Sequence, residues 1–261
     1  MNGIVTLTTD FSTADAYVGM MKGAILSIDP TIYCVDLAHE VQAHDVMEAA
    51  FVLESAYTYF PKGTVHLVVV DPGVGSLRRR VAVSCGGYYF VGPDNGVFSY
   101  VLRESSTYAA VEIAVPRERE GLHGVTFEGR DIFGPAAAKL ASGVKLADIG
   151  TRVESLVSLD THGPKMNENH IDGRIVYVDH FGNCVSNIRA CDLEGLCEPL
   201  SISVGGFVIG ELTTSYSGAA VGDSLAVINS LDRLEIAINQ GNAHEDMNIT
   251  VGTPVRVSFT K

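Results

Sequence analysis

The sequence of 261 residues has no tryptophan, few basic residues and no long apolar run. Its 18 lysines and arginines stand against 31 aspartates and glutamates, which gives a net charge of −13. This balance disfavours nucleic acids and anionic membrane surfaces as partners, because both require clustered positive charge. No stretch approaches the length that spans a bilayer, and the first residues lack the basic and apolar regions of a signal peptide. We therefore expect a globular, cytoplasmic protein.

The sequence patterns of several common sites are also missing. There is no G-x-G-x-x-G after the first predicted strand, no Walker A sequence and no G-x-S-x-G turn, which disfavours standard dinucleotide, nucleoside-triphosphate and acyl-hydrolase sites. The five cysteines form no C-x-x-C pair and are expected to be reduced thiols. His39 and His44 are one residue too far apart to place both imidazoles on one helical face, as the H-E-x-x-H zinc motif does. We predict no metal site.

The first half of the chain alternates between two kinds of apolar pattern. Residues 4–8, 31–35 and 65–70 are apolar or β-branched runs typical of strands, and the segments between them carry apolar residues at helical spacing. Runs such as 67–70, apolar without alternation, indicate strands buried on both faces. This β-α-β-α-β order predicts a parallel sheet with right-handed crossovers.

The pattern changes after about residue 155. Residues 160–169 are polar and contain a Gly-Pro pair, which is typical of a linker. From residue 171 onward, short strands at turn-rich spacing replace the helical periodicity. We predict an N-terminal α/β domain with a mainly parallel sheet (1–158), a linker (159–170) and a smaller all-β barrel domain (171–261).

Two aspartates stand at predicted carboxyl ends of strands. Asp10 follows the first strand and Asp71 the third, and ligands of open α/β sheets bind outside these ends. The Pro-Gly turn after Asp71 is expected to return one of three consecutive arginines, 78–80, toward the carboxylate. Such a pair suits a reaction site. The alternatives are solvated arginines on a plain turn and aspartates that only cap helices.

Three polar loops of the second half are further candidates. Residues 179–183 combine an acid, an aromatic ring and an amide, a set that can hold a heterocycle by stacking and hydrogen bonds. Residues 229–230 and 239–243 are similarly polar. For each loop taken alone, an ordinary hairpin turn is the simpler interpretation.

Taken together, these segments resemble a known family, the S-adenosyl-L-methionine (SAM) hydroxide adenosyltransferases, which are related to the SAM-dependent fluorinase and chlorinase. The resemblance covers essentially the whole chain. Its motifs, in order, are TTDF at 8–11, YVGMMKG at 17–23, YFPKGTVHLVVVDPGVG at 59–75, VGPDNGVF at 91–98, TFEGRDIFGPAAA at 126–138, DHFGNCVSNI at 179–188 and NSLDRLEIAINQGNA at 229–243.

The resemblance implies an activity and an assembly. Members that are hydrolases convert SAM and water to adenosine and L-methionine by attack at the ribose C5′. SAM is then the substrate, and no cofactor or metal is expected. The family also implies a homotrimer, in which SAM lies between the N-terminal domain of one subunit and the C-terminal domain of its neighbour.

The motifs carry expected roles onto particular positions. Asp10 matches the residue that holds the ribose hydroxyls. Asp71 and Arg78 match two members of an Asp-Arg-His set that orients the attacking water. Positions that match contacts to the methionine or adenine portions of SAM are Asp179, Phe181, Asn183, Ser230, Asn239, Asn242 and Ala243.

One position departs from the family. The hydrolases have histidine in T-F-H-G-R-D, where this chain has Glu128. We expect Glu128 to replace the histidine as a base or water ligand, and His123 is an alternative third partner. A slow site, another nucleophile or a non-catalytic SAM- or adenosine-binding trimer stay open. Halogenases carry a tyrosine in place of Asp71, whose charge would repel a halide in a dry pocket, so a halide-using 5′-halogenase is the less favoured alternative.

Overall fold

Two sheets, each with its own apolar core, organise the chain. The computed structural model describes residues 2–103, 105, 107–115, 126–210 and 212–260. The chain divides into an N-terminal unit, residues 1–161, and a C-terminal unit, residues 162–261. The predicted linker, 159–170, spans this boundary. No helix in the described ranges is long and apolar enough to cross a membrane.

The N-terminal unit combines a sheet with helices in an α/β arrangement. Its strands are β1 (Ile4–Thr9), β2 (Tyr33–Ala38), β3 (Val65–Val69), β4 (Arg80–Cys85), β5 (Tyr88–Pro93), β6 (Tyr108–Ile113) and β7 (Gly150–Val153). Its helices are α1 (Tyr17–Ile28), α2 (Val46–Ala56), α3 (Ser99–Arg103) and α4 (Gly134–Ala141), with 3₁₀ turns at Tyr57–Tyr59 and Leu146–Asp148 and a π-helical turn at Gly129–Phe133.

The seven-stranded sheet is mixed, so the prediction of a mainly parallel sheet was wrong. The order is β2-β1-β3-β5-β4-β6-β7. The four strands β2, β1, β3 and β5 pair in parallel, whereas the pairs β5-β4, β4-β6 and β6-β7 are antiparallel. The short turn at Gly86-Gly87 accounts for the first of these antiparallel pairs, because a tight hairpin can join β4 and β5 only as antiparallel neighbours.

The parallel half of the sheet contributes many side chains to the core of this unit. Val5 and Leu7 of β1 and Leu67 of β3 are fully buried. Helix α1 packs Met21 and Ile25 into the same cluster. Burying side chains of this size stabilises the fold by roughly 1.5–3 kcal/mol each, which fixes the carboxyl edge of β1 and β3 in place.

His66 is a buried histidine in the middle of β3. Its Nδ1 lies 2.8 Å from Thr6 Oγ1, while its Nε2 is buried and has no hydrogen-bond partner among the described residues. Aromatic rings surround the imidazole, with centroids 5.4 Å away for Phe90 and 5.5 Å for Tyr88. Burial disfavours the charged form and lowers the pKa of His66 to about 4. The imidazole is therefore neutral in the fold.

The free energy of unfolding is expected to fall as the pH drops from 7 to 5, because of His66. The unfolded chain takes up a proton near the ordinary pKa of 6.5, whereas the folded chain resists it down to about 4. The contribution of the neutral His66 to the free energy of unfolding is therefore almost fully present above pH 6.5 and is lost progressively between pH 6.5 and pH 4. At pH 5 the loss amounts to about 2 kcal/mol. Urea unfolding at both pH values measures the change.

The matched control for this effect is His66→Phe, which keeps an aromatic ring in the cluster and removes the titrating group. The variant loses the bond to Thr6 at every pH, so only its difference between pH 7 and pH 5 is compared with the wild type. An equal pH-dependent loss in both proteins would show that His66 is not its source.

The C-terminal unit is built on a second sheet. Its strands are β8 (Lys165–Met166), β9 (His170–Val178), β10 (Cys184–Arg189), β11 (Cys197–Val204), β12 (Phe207–Gly210), β13 (Leu212–Thr213), β14 (Ser224–Ile228), β15 (Arg233–Ile238) and β16 (Pro254–Thr260). Two single-turn helices, α5 (Ala190–Leu193) and α6 (Ala243–Asp246), and a 3₁₀ turn at Tyr216–Gly218 interrupt them.

This sheet curls into a nearly closed barrel. The order is β12-β11-β16-β9-β10-β15-β14-β13, with β8 paired to β9, and β12 comes back close to β14. Fully buried side chains such as Ile175, Ile188 and Ile236 fill its interior. The loops between its strands carry the polar segments that the sequence singles out.

Candidate active site

Asp10 and Asp71 lie at the same edge of the N-terminal sheet. Strands β1 and β3 are parallel neighbours, with Thr9 opposite Val69, so the residues that follow them leave the sheet side by side. Both carboxylates are almost fully buried, with side-chain exposures of 8% for Asp10 and 6% for Asp71. The structure thus brings these two predicted residues to one place.

The turn after β3 returns Arg78 to Asp71. Gly75 adopts a φ of 79°, a left-handed conformation that suits glycine, and Ser76 N donates to Gly73 O at 3.0 Å. Arg78 then donates from Nε to Asp71 Oδ1 at 2.8 Å and from Nη2 to Asp71 Oδ2. This is the bidentate geometry that a guanidinium forms with a carboxylate.

Glu128 joins the same group of charges from another element. It directly precedes the π-helical turn Gly129–Phe133, a type of turn that is frequent at functional sites. Its Oε2 accepts a hydrogen bond from Arg78 Nη2, and its Oε1 accepts from Arg80 Nε at 2.9 Å and from Arg80 Nη2. Arg80 is therefore paired here, which rules out the alternative of a solvated arginine at this position.

The four residues Asp71, Arg78, Glu128 and Arg80 form what we call the charge network. Burial acts to lower the pKa of the Arg78 guanidinium, but its bonds to Asp71 and Glu128 outweigh burial and raise that pKa. Arg78 is thus firmly held as a cation. With Asp10 included, three carboxylates and two guanidinium groups leave a net charge of −1.

A cavity of about 320 Å³ opens beside these side chains. Part of its wall is an aromatic trio, Phe11, Tyr17 and Phe127, whose ring centroids lie 5.2 to 5.7 Å apart. Aromatic faces next to carboxylates suit a ligand that is partly planar and carries positive charge. The carboxylates that line the cavity are Asp10, Asp71 and Glu128.

The loop between β2 and α2 fixes Asp10. His44 adopts a φ of 72° and donates its backbone N–H to Asp10 Oδ2 at 2.9 Å. His39, in the same loop, is buried, with Nδ1 2.9 Å from Thr9 Oγ1 and Nε2 2.9 Å from Asp36 Oδ1. The two histidines therefore have separate partners, and Asp10 is held in a defined orientation.

Asp36, near the end of β2, connects the start of this loop to α1. Lys22 Nζ donates to Asp36 Oδ2 at 2.6 Å. Partial burial acts to raise the pKa of Asp36, but the bonds from His39 and Lys22 prevail and lower it. Asp36 thus supports the loop that carries the contact to Asp10.

In the C-terminal unit, Asp179 organises the loop between β9 and β10. Its Oδ1 accepts hydrogen bonds from the backbone N–H groups of Phe181 and Asn183, both at 2.9 Å, and its Oδ2 accepts from Asn183 Nδ2 at 2.9 Å. Phe181 is 73% exposed. A fixed acid and amide beside an exposed ring can present one face to a planar ligand.

The same loop meets the segment before α6. Asn242 caps that helix by accepting from Glu245 N at 3.0 Å, and Gly182 O accepts from His244 N at 3.0 Å. The structure therefore brings Asp179, Asn183 and Asn242 together, although 59 residues of sequence separate the last two.

Gly182→Ala is expected to disturb this loop strongly. Gly182 has a φ of 82°, and a Cβ there would lie 1.9 Å from Asn242 Oδ1. The strained backbone and the displaced helix cap together should lower the free energy of unfolding by about 1–3 kcal/mol. Thermal unfolding measures the loss, and Gly163→Ala, where a Cβ meets open space, is the control. Equal melting temperatures for Gly182→Ala and the wild type would contradict the packing described here.

The remaining predicted residues differ in accessibility. Ser230 is exposed in the turn between β14 and β15, and Asn239 donates from Nδ2 to Ala219 O at 2.8 Å. Ala243 is fully buried in the core of the C-terminal unit, so only its backbone is available to a ligand.

A buried carboxylate, Glu235, lies near Ser230. Asn229 and Tyr216 both donate hydrogen bonds to it. Burial and this carboxylate raise the pKa of Tyr216.

Sequence reasoning missed Arg80, the backbone contact from His44 and the aromatic trio. Phe11, Tyr17 and Phe127 stand inside three of the quoted motifs, which was the available signal. The pairing of Arg80 with Glu128 spans 48 residues and leaves no local pattern. His123, the alternative third partner, lies outside the described residues.

Comparison with known proteins identifies the family. The model of the SAM hydroxide adenosyltransferase N-terminal domain matches residues 5–150, and that of the C-terminal domain matches residues 173–256. Together these matches cover most of both units. The chain belongs to the SAM hydroxide adenosyltransferase family.

Individual relatives agree with this assignment. An (R)-S-adenosyl-L-methionine hydrolase of Thermus thermophilus is 35% identical over 97% of this chain and 98% of its own length. A fluorinase of Nocardia brasiliensis is 27% identical over 97% of this chain and 96% of its own. The crystal structure of an uncharacterised conserved protein from Thermotoga maritima superimposes with a TM-score of 0.89, at 33% identity, covering 98% of this chain and 99% of that one.

Proposed function

We propose that this protein hydrolyses SAM to adenosine and L-methionine. The observation that carries the proposal is the Arg78 guanidinium held between Asp71 and Glu128, two carboxylates that line one cavity together with Asp10. Family membership and the full-length hydrolase relatives support the same reaction. Asp10 is the proposed ligand of the ribose hydroxyls, since a fixed carboxylate can accept from both.

The chemistry requires a positioned nucleophile and little else. The oxygen of water bonds to C5′ while the C5′–S bond breaks, the sulfur keeps the electron pair, and the water passes one proton to the Asp71 carboxylate, which releases it to solvent. Methionine leaves as a neutral thioether, so no general acid is needed, and we propose no metal or cofactor. Asp71 is the proposed acceptor that orients the water, and an aligned near-attack geometry supplies much of the rate.

The charges of the cavity favour this reaction over halide attack. The net charge of −1 attracts a sulfonium cation and opposes an anion next to Asp71 and Glu128. Arg78 does not line the cavity, but its Nη1 is buried and makes no hydrogen bond to any described residue. We propose that Nη1 donates to the oxygen of the nucleophile and stabilises the hydroxide character that the water gains as it loses its proton.

Incubation with SAM, followed by chromatography, tests the proposal. We expect adenosine and methionine in equal amounts, at a rate well above that of Asp71→Ala. Tight SAM binding in calorimetry without product would instead indicate a non-catalytic binding protein, and 5′-chloroadenosine formed only with chloride would indicate a halogenase. Either result would contradict the hydrolase proposal.

We further propose a cytoplasmic homotrimer in which the loop of Asp179 and Asn183, with Phe181, Ser230, Asn239, Asn242 and Ala243, completes the site of a neighbouring subunit. The family resemblance is the ground for this arrangement. Co-expression of Asp71→Asn with Asp179→Ala tests this arrangement. If each site is shared between two subunits, some sites in a mixed trimer combine the intact Asp71 of one subunit with the intact Asp179 of its neighbour, and activity returns. A site formed within one chain would stay inactive in every mixture.

A further inference from the structure

The Glu128 carboxylate is held from two directions. Arg80, the first residue of β4, occupies Oε1 with both Nε and Nη2. Arg78, from the turn after β3, reaches Oε2 with Nη2 alone. An ionised carboxylate has about four acceptor positions, so these bonds saturate Oε1 and leave one position on Oε2.

Arg80 also balances the charge of the site. Asp71 and Glu128, with side-chain exposures of 6% and 3%, share the single guanidinium of Arg78. One cation between two buried carboxylates would leave a negative charge uncompensated, which is costly in a buried position. Arg80 supplies the second cation while its own side chain is 22% exposed.

We propose that Arg80 is a positioning residue for hydrolysis: it fixes Oε1 of Glu128 so that Oε2 faces Arg78 and accepts a hydrogen bond from the reacting water. Glu128 lines the cavity and Arg80 does not. Arg80 therefore acts only through Glu128. This inference rests on the proposed function, and it gives the glutamate a defined task as a hydrogen-bond acceptor.

Loss of Arg80 should misplace Glu128 without unfolding the site. Arg78 Nη1 is a buried donor with no bond to a described residue, so a released Glu128 has a competing partner close by. A shift toward Nη1 would also pull Arg78 away from Asp71. Displacements of about 1 Å can lower a rate by about 100-fold.

A double-mutant cycle tests the proposal. The cycle compares the wild type, Arg80→Met, Glu128→Gln and the double variant, with kcat and KM measured for SAM and single-turnover reactions used for the slow variants. We expect Arg80→Met to lower kcat by about 10- to 100-fold with little change in KM. In the Glu128→Gln background the same change should have little further effect, because the residue through which Arg80 acts is already altered.

Arg79→Met is the matched control. Arg79 donates from Nε to the buried carboxylate of Asp94 at 2.8 Å and from Nη2 to Ser155 O, and it does not line the cavity. The control therefore loses a similar ion pair without touching Glu128, and it should lower the melting temperature but not kcat. Compared with Arg80→Met, Arg80→Lys restores the positive charge but not the pair of hydrogen bonds to Glu128, and it should recover only part of the wild-type kcat.

Three results would overturn the inference: additive effects in the cycle, an unchanged kcat in Arg80→Met, or an equal loss of kcat in Arg79→Met. Thermal unfolding of each variant separates a fall in kcat from a fall in the folded fraction. A wild-type protein that releases no adenosine would overturn the proposed function and this inference together. An active wild type with an unaffected Arg80→Met would overturn the inference alone.

Discussion

Asp71→Asn is expected to lower kcat for SAM hydrolysis by about 10³-fold, within the range of 10²–10⁴ that a positioned acid or base supplies. The carboxylate receives both arms of the Arg78 fork and lines the cavity. An amide of the same shape removes the negative charge and one of the two acceptor oxygens. Because the aromatic trio and Asp10 are unchanged, KM should change much less than kcat.

Asp94→Asn is the matched control for this variant. Asp94 is also a buried aspartate paired with an arginine, Arg79, in the same unit, but it does not line the cavity. Steady-state kinetics of both variants with SAM are compared. If Asp71→Asn keeps the wild-type kcat, or if Asp94→Asn loses as much, Asp71 does not orient the nucleophile.

Arg78→Met is expected to lower the free energy of unfolding by about 3–5 kcal/mol, the usual cost of removing one partner from a buried ion pair. It would leave Asp71 and Glu128 next to each other, both with side-chain exposures below 10%, and only Arg80 to compensate them. For a unit of this size the corresponding fall in melting temperature is about 6–20 °C. Urea unfolding and calorimetry both measure it.

Two comparisons check the cause of this loss. Arg256→Met removes an arginine that is 55% exposed from Asp172, which is itself 38% exposed, and such exposed pairs contribute little to the free energy of unfolding. The double variant Arg78→Met with Glu128→Met should recover part of the stability, because an apolar replacement removes one of the unpaired charges. A loss below about 1 kcal/mol in Arg78→Met would contradict the buried network.

The parallel half of the fold and the position of the site followed from local patterns. The unalternating apolar run before Asp71 indicated a strand buried on both faces, and every residue of β3 is buried. Once β1 and β3 are parallel neighbours, their following aspartates must leave at the same edge. The Pro-Gly turn likewise predicted an arginine on Asp71, and a turn of this type places Arg78 there.

The rest depended on contacts between distant parts of the chain. The Gly86-Gly87 pair is a local turn signal for the hairpin of β4 and β5, but the antiparallel extension to β6 and β7 has no local signal, because strand order is set by packing. Arg80 meets Glu128 across 48 residues, and Gly182 meets Asn242 across 60. Single residues of this kind have no periodicity, so only the three-dimensional structure reveals their partners.

Hydrolysis in water enriched in oxygen-18 tests the central claim most directly. If water attacks C5′ of SAM, the heavy oxygen must enter the 5′-hydroxyl of adenosine, and methionine must leave unlabelled with its thioether intact. Mass spectrometry of both products from wild-type protein, with Asp71→Asn as the slow reference, measures this. Labelled adenosine is the result we predict, and either the absence of adenosine or adenosine without the label would contradict it.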